Sequence, residues 1–274
     1  LSVLFYYYNQ IFGDTYNKFN ESSAQYVVHR YIKNKTLRKV LLGQFPDYGL
    51  LPSEASFFIH ASIVNHYLEG GYYPKGGPSV IAKSIIKKIN RHNGEVLMGE
   101  KVRNIIIENG VAKGVLMNNG DIISAKNVVS AVGIKTTFET LVSEKQVPKM
   151  YKRILENVPP SSQHFYLFVN ISGNPESLNL PSNNFWIYPP DPETGESNFT
   201  KLIEGMKSDP ADNDNLVPAF LGFSCRKDLS WNERFPEKSN CVIITEVDYD
   251  YFSQWQKWRD VDYRRIKNEI SLKI

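Results

Sequence analysis

The sequence predicts an α/β chain in which a helix, a strand, a three-stranded β-meander and a further strand stand between a mainly helical segment and one where strands alternate with loops, the two together a mixed α+β portion. Three observations carry this. After Pro78, apolar residues fall at Ile81, Ala82, Ile85, Ile86 and Ile89 with lysines between them, the spacing of a helix that buries one face. The apolar runs that follow, Val96 to Met98, Val102 to Ile107, Val111 to Met117, Ile122 to Ile123 and Val128 to Ala131, are too short for helices and rich in branched residues. Asn109-Gly110 and Asn118-Asn119-Gly120 sit between successive runs, where turns needing positive φ belong, so three of the runs pair as two hairpins.

Taken in order, residues 1–69 read as mainly helical: Ala24 to Ile32, Leu37 to Leu42, and Pro52 to Leu68 with Ser53 as N-cap. Gly43, Pro46 and Gly49 mark a loop between the second and third of these. Residues 70–142 form the helix-and-meander portion. Its helix opens at Gly77-Pro78, because proline tolerates the first turn, and closes at Asn93-Gly94. From 143 to 274, strands at His164 to Ile171, Asn184 to Tyr188, Ala219 to Ser224 and Val242 to Val247 alternate with loops. Ser208 to Asn215 is too polar to bury, and Tyr251 to Ile274 reads as an amphipathic helix.

Composition is that of an ordinary folded chain: 274 residues, 42% hydrophobic, enough for a sizeable core. The net charge of +3 is scattered rather than blocked, which gives no nucleic-acid or anionic-lipid footprint. Cys225 and Cys241 are expected as reduced, buried thiols, with a disulfide between them as the alternative. No run reaches the ~18 apolar residues that span a bilayer. Sequons at Asn20, Asn34, Asn170 and Asn198 fit a secretory-pathway lumen but arise readily by chance in an asparagine-rich chain. His60 and His66 stand six apart, off the shared helix face that metal ligands need, and His29, His92 and His164 lack Cys or carboxylate neighbours, so no metal site is expected. No GxSxG elbow, P-loop or CxxC occurs. Phe5 to Tyr8, Phe57-Phe58 and Trp255 with Trp258 are candidates either for core or for a tunnel taking a flat apolar substrate.

FPDYGLLPSEASFFIHASIVNHYLEGGYYPKGGPSVIA, EKVRNI, VVSAVGIKTTFETLV, LNLPSNNFWIYP, and KDLSWNERFPEKSN leading to DYDYFSQWQ carry a resemblance over roughly residues 45–256. In these segments the chain resembles the FAD-dependent amine-oxidase, phytoene-desaturase and carotenoid-isomerase superfamily, and within it the retinol saturase family of all-trans-retinol 13,14-reductases. The meander and the VVSA strand are common to the superfamily, whereas the WNERFP segment is narrower. The resemblance implies part of a glutathione-reductase-like FAD domain over 70–142, with a substrate-binding domain built from 1–69 and 143–274. It also implies reduction of a C=C bond in a retinoid, NAD or NADP as electron source, and association with the endoplasmic reticulum membrane. Carotenoid isomerisation or desaturation on the same flavin is the neighbouring alternative, and a flavin-free binding protein like the GDP-dissociation inhibitors is the alternative of another class. The superfamily's GxGxxG loop is absent, as is its C-terminal glycine-rich segment. The chain is therefore expected to be an internal portion of a longer polypeptide, or else a protein that has lost flavin binding.

By this resemblance Val102 stands where backbone N–H and C=O meet the adenine edge of FAD; an ordinary buried valine is the other reading. Ser130, Ala131 and Val132 would end a parallel strand at a ligand-facing edge, or simply permit close packing. Gly76 and Gly77 are candidates for close approach to the flavin through free N–H groups at a helix start. Tyr73 is placed to stack or donate, and Lys75 to stabilise an anionic reduced flavin, against the plainer reading of a turn, a cap and an exposed lysine. No side chain stands out as the proton donor.

Overall fold

A computed structural model describes residues 17–157, 163–190, 218–247 and 261–273. Two compact units divide it: Ala82–Pro160 forms one, and the described residues of Leu1–Ile81 and Ser161–Ile274 form the other.

In the two-segment unit, helix α1 (Ala24–Tyr31) is capped by Ser23, whose hydroxyl accepts the Tyr26 N–H, and α2 (Lys35–Leu42) by Asn34, which accepts the Leu37 N–H at 2.9 Å. Helix α3 spans Phe57–His66 with Ser56 as cap, not Pro52 to Leu68 with Ser53. The reason is local. The N–H groups of Ala24 and Gln25, among the first donors of α1, are accepted by the carbonyls of Ala55 and Pro52, both at 2.8 Å, so the single turn that Ala55 closes onto Leu51 caps α1 and does not run on into α3. Ala24, Val28 and Leu42 form a buried cluster with Ile32 and Phe57 against it. Val28 and Leu42 each contribute about 1.5–3 kcal/mol by leaving water.

The same unit holds a four-stranded antiparallel sheet in the order β4-β7-β6-β5: β4 is Gln163–Ser172, β5 Phe185–Ile187, β6 Ala219–Gly222 and β7 Lys238–Val247. β4 and β7 pair over their full lengths, from Gln163↔Val247 to Ser172↔Lys238. The period of two sends Phe165, Cys241, Thr245 and Val247 to the buried side. Cys225 and Cys241 are buried free thiols, as expected. The WNERFP segment supplies a short helix, Trp231–Arg234, and the C-terminal helix is described over Val261–Lys273.

In the other unit, β1 (Val102–Glu108), β2 (Val111–Met117) and β3 (Ile122–Ser124) make the expected meander in the order β1-β2-β3. Asn109 (φ 50°) and Gly110 (φ 77°) turn the first hairpin with the positive φ its tight turn demands. Other expectations for this region fail. The helix over Ser79–Arg91 forms, but it fully buries none of its residues: Ile81 and Ile85 are more than half exposed, and Ile86 and Ile89 are half-buried. Val96 to Met98 and Val128 to Ala131 are not strands, because a strand exists only by pairing and no described strand lies beside either run. The expected features at Phe5 to Tyr8, Ser208 to Asn215, Trp255 and Trp258 lie outside the described residues.

Candidate functional site

The sheet register assembles a row of side chains that spans all four strands. Tyr166 pairs with Ile244, Ile244 with Phe220, and Phe220 with Trp186, so the four share one face. Beside them His164 pairs with Glu246. This face floors a cavity of about 260 Å³ whose opposite wall is the 3-10 turn Phe45–Asp47 together with Tyr188. Trp186 and Phe220 meet edge to face at 5.0 Å, and Phe45, almost wholly buried, stacks on Tyr188 at 5.9 Å. The Tyr188 hydroxyl donates to the Gly43 carbonyl, which ties β5 to the end of α2. Phe45 and Pro46 stand in the segment read from the sequence as a plain loop; the buried ring is what folds it into a turn.

The charges around this cavity are acidic. Asp47, at the rim, has its carboxyl pushed up by burial. Tyr188 is pushed up by burial first, then by the fields of Glu246 and Asp47. Behind the turn, Tyr48 Oη lies 3.2 Å from Nδ1 of the buried His60. Burial lowers His60 and raises Tyr48, so both stay neutral at physiological pH.

A second constellation joins two segments that carry the family resemblance. Asp228 is buried, and its Oδ1 accepts the Gly76 N–H at 2.9 Å, the Ser230 N–H at 3.0 Å and the Ser230 hydroxyl at 2.8 Å, while Oδ2 pairs with Arg234. Burial alone would raise this carboxyl; the donated hydrogen bonds outweigh it and bring it down to about 2. Arg234 also covers the Phe235 ring at 4.9 Å.

This corrects the expectation of free donors at Gly76 and Gly77. The Gly76 N–H is held by Asp228 and the Gly77 N–H by the Pro74 carbonyl at 3.0 Å. The positive φ of both glycines serves the turn itself, and a Cβ on Gly76 would lie 2.8 Å from Val80. Tyr73 is half-buried and Lys75 exposed in the same loop. In the meander unit, Lys101 accepts the Asn118 N–H from the β2 side at 2.9 Å, so the alternation of an extended chain turns the N–H and C=O of Val102 toward the outer edge of β1. That edge carries no paired strand among the described residues, and Val102 itself is half-buried; a purine-sized ring with one donor beside one acceptor fits such an edge. Ser130, Ala131 and Val132 are exposed in irregular chain rather than ending a parallel strand, and the Ser130 hydroxyl is 2.7 Å from that of Thr137. Thus Val102 turns one N–H and one C=O to an open edge of its sheet, whereas the N–H groups of Gly76 and Gly77 are taken up within their own unit.

Asp47, Asp228, Arg234 and Glu246 were not singled out from the sequence. The signals were present in the alternation of His164, Tyr166 and Phe168, in Trp186 and Tyr188, and in the charged KDLSWNERFP segment. Among the described residues there is no group of His, Cys, Asp and Glu suited to a metal, and no helix long and apolar enough to cross a membrane.

The chain matches proteins named as oxidoreductases over most of its length. It is 32% identical to all-trans-retinol 13,14-reductase of Danio rerio over 92% of this chain and 42% of that protein, and 31% identical to an inactive all-trans-retinol 13,14-reductase of the same fish over 89% and 40%. Over 95 residues, 33% of this chain and 15% of the relative, it is 41% identical to the chloroplastic prolycopene isomerase of Daucus carota. The chain thus spans about two fifths of the length of the retinol reductases it matches. A solved oxidoreductase from Methanosarcina mazei shares the fold, with a TM-score of 0.57 at 17% identity over 92% of this chain and 53% of that one. No family model matches. The chain is thus similar over most of its length to the all-trans-retinol 13,14-reductases, and over part of it to carotenoid isomerases and desaturases.

Proposed function

We propose that this chain is part of an FAD-dependent oxidoreductase that reduces a C=C bond of a retinoid, of the all-trans-retinol to 13,14-dihydroretinol type. The observation that carries the reading is the 32% identity to a retinol reductase across 92% of the chain. Reduced flavin, when bound, supplies hydride to one carbon of a conjugated double bond, and NAD or NADP is the proposed electron source. The chain's own part is to bind, orient and exclude water. The outer edge of β1 at Val102 offers the main-chain pair that suits an adenine, and the aromatic row Tyr166, Phe220 and Trp186 offers a flat apolar floor for a polyene. Tyr73 and Lys75 lie in the loop that Asp228 fastens through Gly76, which supports their assignment to substrate or flavin. Attachment to the endoplasmic reticulum membrane belongs to the same proposal and rests on the family likeness.

A second reading, isomerisation or desaturation of a carotenoid on the same flavin, is favoured by the higher local identity to prolycopene isomerase. One experiment tests both. The complete polypeptide is purified, its visible spectrum is scanned for flavin bands, and it is incubated with all-trans-retinol and with a cis-configured carotenoid, anaerobically with a reductant in one arm and with an added quinone as electron acceptor in the other. Reductase activity adds two hydrogens to the product mass, isomerisation adds none, and desaturation removes two. A protein without flavin bands that leaves retinol unchanged, behaving as the inactive fish relative is named, refutes the enzymatic reading.

A further inference from the structure

We infer that the cavity between the Phe45–Asp47 turn and the Tyr166–Ile244–Phe220–Trp186 row receives the polar end of the polyene and selects hydrogen-bond donors there, taking an ammonium or hydroxyl terminus in preference to a carboxylate. The inference rests on the polyene reading and adds to it the residues and the chemistry of one end of the substrate.

Size comes first. At about 260 Å³ the cavity falls below the ~300–1,000 Å³ of pockets that enclose a whole drug-sized ligand, so it holds one end of a long chain while the remainder lies along the rings. Its walls are ring faces, and the faces of Trp, Tyr and Phe carry negative charge density that attracts cations and polarised O–H or N–H groups. The charge lies in Asp47 and Glu246, and among the described lining residues there is no lysine or arginine. His164, opposite Glu246, is the other titratable lining group apart from the Tyr166 and Tyr188 phenols. The fields of both carboxylates reach across the cavity, since each adds to the upward push on Tyr188. A ligand carboxylate entering here meets two like charges in an apolar setting; an alcohol gives its proton to a carboxylate oxygen; an ammonium adds charge attraction to that bond.

The test is binding, read by quenching of tryptophan fluorescence in the complete protein, with all-trans-retinylamine, all-trans-retinol and all-trans-retinoate at neutral pH. The expected order is retinylamine, then retinol, then retinoate, with about tenfold between the first and the last. Asp47→Asn with Glu246→Gln should compress that spread to about threefold or less. Asp47→Asn alone, a near-isosteric change at an exposed side chain that folding tolerates, should move it part of the way. Equal affinity for the three ligands in the unaltered protein, or an unchanged spread in the folded Asp47→Asn variant, overturns the inference and leaves the polyene reading standing. Failure of all three to bind sinks the polyene reading, and this inference with it.

Discussion

The Oδ1 atom of Asp228 accepts the N–H of Gly76 at 2.9 Å, joining two chain positions 152 residues apart. With Ser230 and Arg234 on the same carboxylate, this one side chain holds the Tyr72–Gly77 turn against the segment that leads into Trp231–Arg234. Asp228→Ala strips the Gly76 and Ser230 N–H groups of their acceptor and frees the exposed Arg234 guanidinium, and should cost about 2 kcal/mol in chemical denaturation. The sign of the pH effect follows from the direction of the shift. The folded pKa of about 2 lies below the ordinary 3.8, so the contribution is whole above roughly pH 4 and is lost as pH falls through 2. Asp228→Asn should flatten the acid limb of the stability curve in that window; an acid limb identical to that of the unaltered protein contradicts the role.

His60 makes a second pH prediction at a higher window. Burial holds its folded pKa below the ordinary 6.5, so the unfolded chain binds the proton more readily. Its stabilisation is present above about pH 6.5 and is lost as pH falls through the lower folded value. The melting temperature should drop on acidification below neutrality, and His60→Gln should lessen that drop. Tyr48→Phe, which removes the 3.2 Å partner of Nδ1, tests whether the phenol helps to keep the ring in place: the expected result is a lower melting temperature at pH 8.

What the sequence discloses of this molecule follows from how local each signal is. Asn109-Gly110 marks a hairpin because the turn's positive φ is a property of two residues, and β1 to β3 follow from it. The apolar stripe of Ser79–Arg91 identifies a helix correctly and its burial wrongly, since periodicity specifies a face and says nothing about what covers it. Val128 to Ala131 fails for a related reason: β-rich composition describes a run able to pair, and pairing needs a neighbour. Asp228 was legible only as a charged residue in a family segment, because its acceptor role depends on a loop 152 residues distant. The aromatic row depends on the registers of four strands, and no single strand displays it.

Gly114 is the glycine the meander can least exchange. A Cβ there would stand 2.2 Å from the Ile123 carbonyl oxygen and 2.9 Å from the Ser124 Cα, both backbone atoms of the paired strand β3. Nothing flexible is available to move aside. Gly114→Ala should therefore cost about 2–4 kcal/mol and loosen β3 first, seen as faster amide exchange at Ile123. Gly71→Ala, where a Cβ meets nothing within 4 Å, should stay within about 0.5 kcal/mol of the parent.

Val102 separates the flavin reading from an ordinary strand by a substitution that touches only one main-chain hydrogen. Because the Lys101 carbonyl faces β2, the Val102 N–H faces the outer edge, and proline is tolerated at the first residue of an edge strand when its missing N–H would have pointed outward. Val102→Pro should leave the chain folded, within about 1 kcal/mol of the parent in urea, since no ladder bond is lost. If the adenine of FAD is held by that N–H, removing it takes away one hydrogen bond, about 0.5–1.5 kcal/mol, and weakens flavin binding roughly threefold to tenfold. Val102→Ala keeps the N–H and the strand, and should change flavin affinity less than about twofold. The measurement is flavin fluorescence during titration of the deflavinated complete protein. Equal affinities for the Pro and Ala variants would place the adenine elsewhere, whereas an unfolded Val102→Pro variant would mean that the N–H faces β2 and that the edge at Val102 is closed.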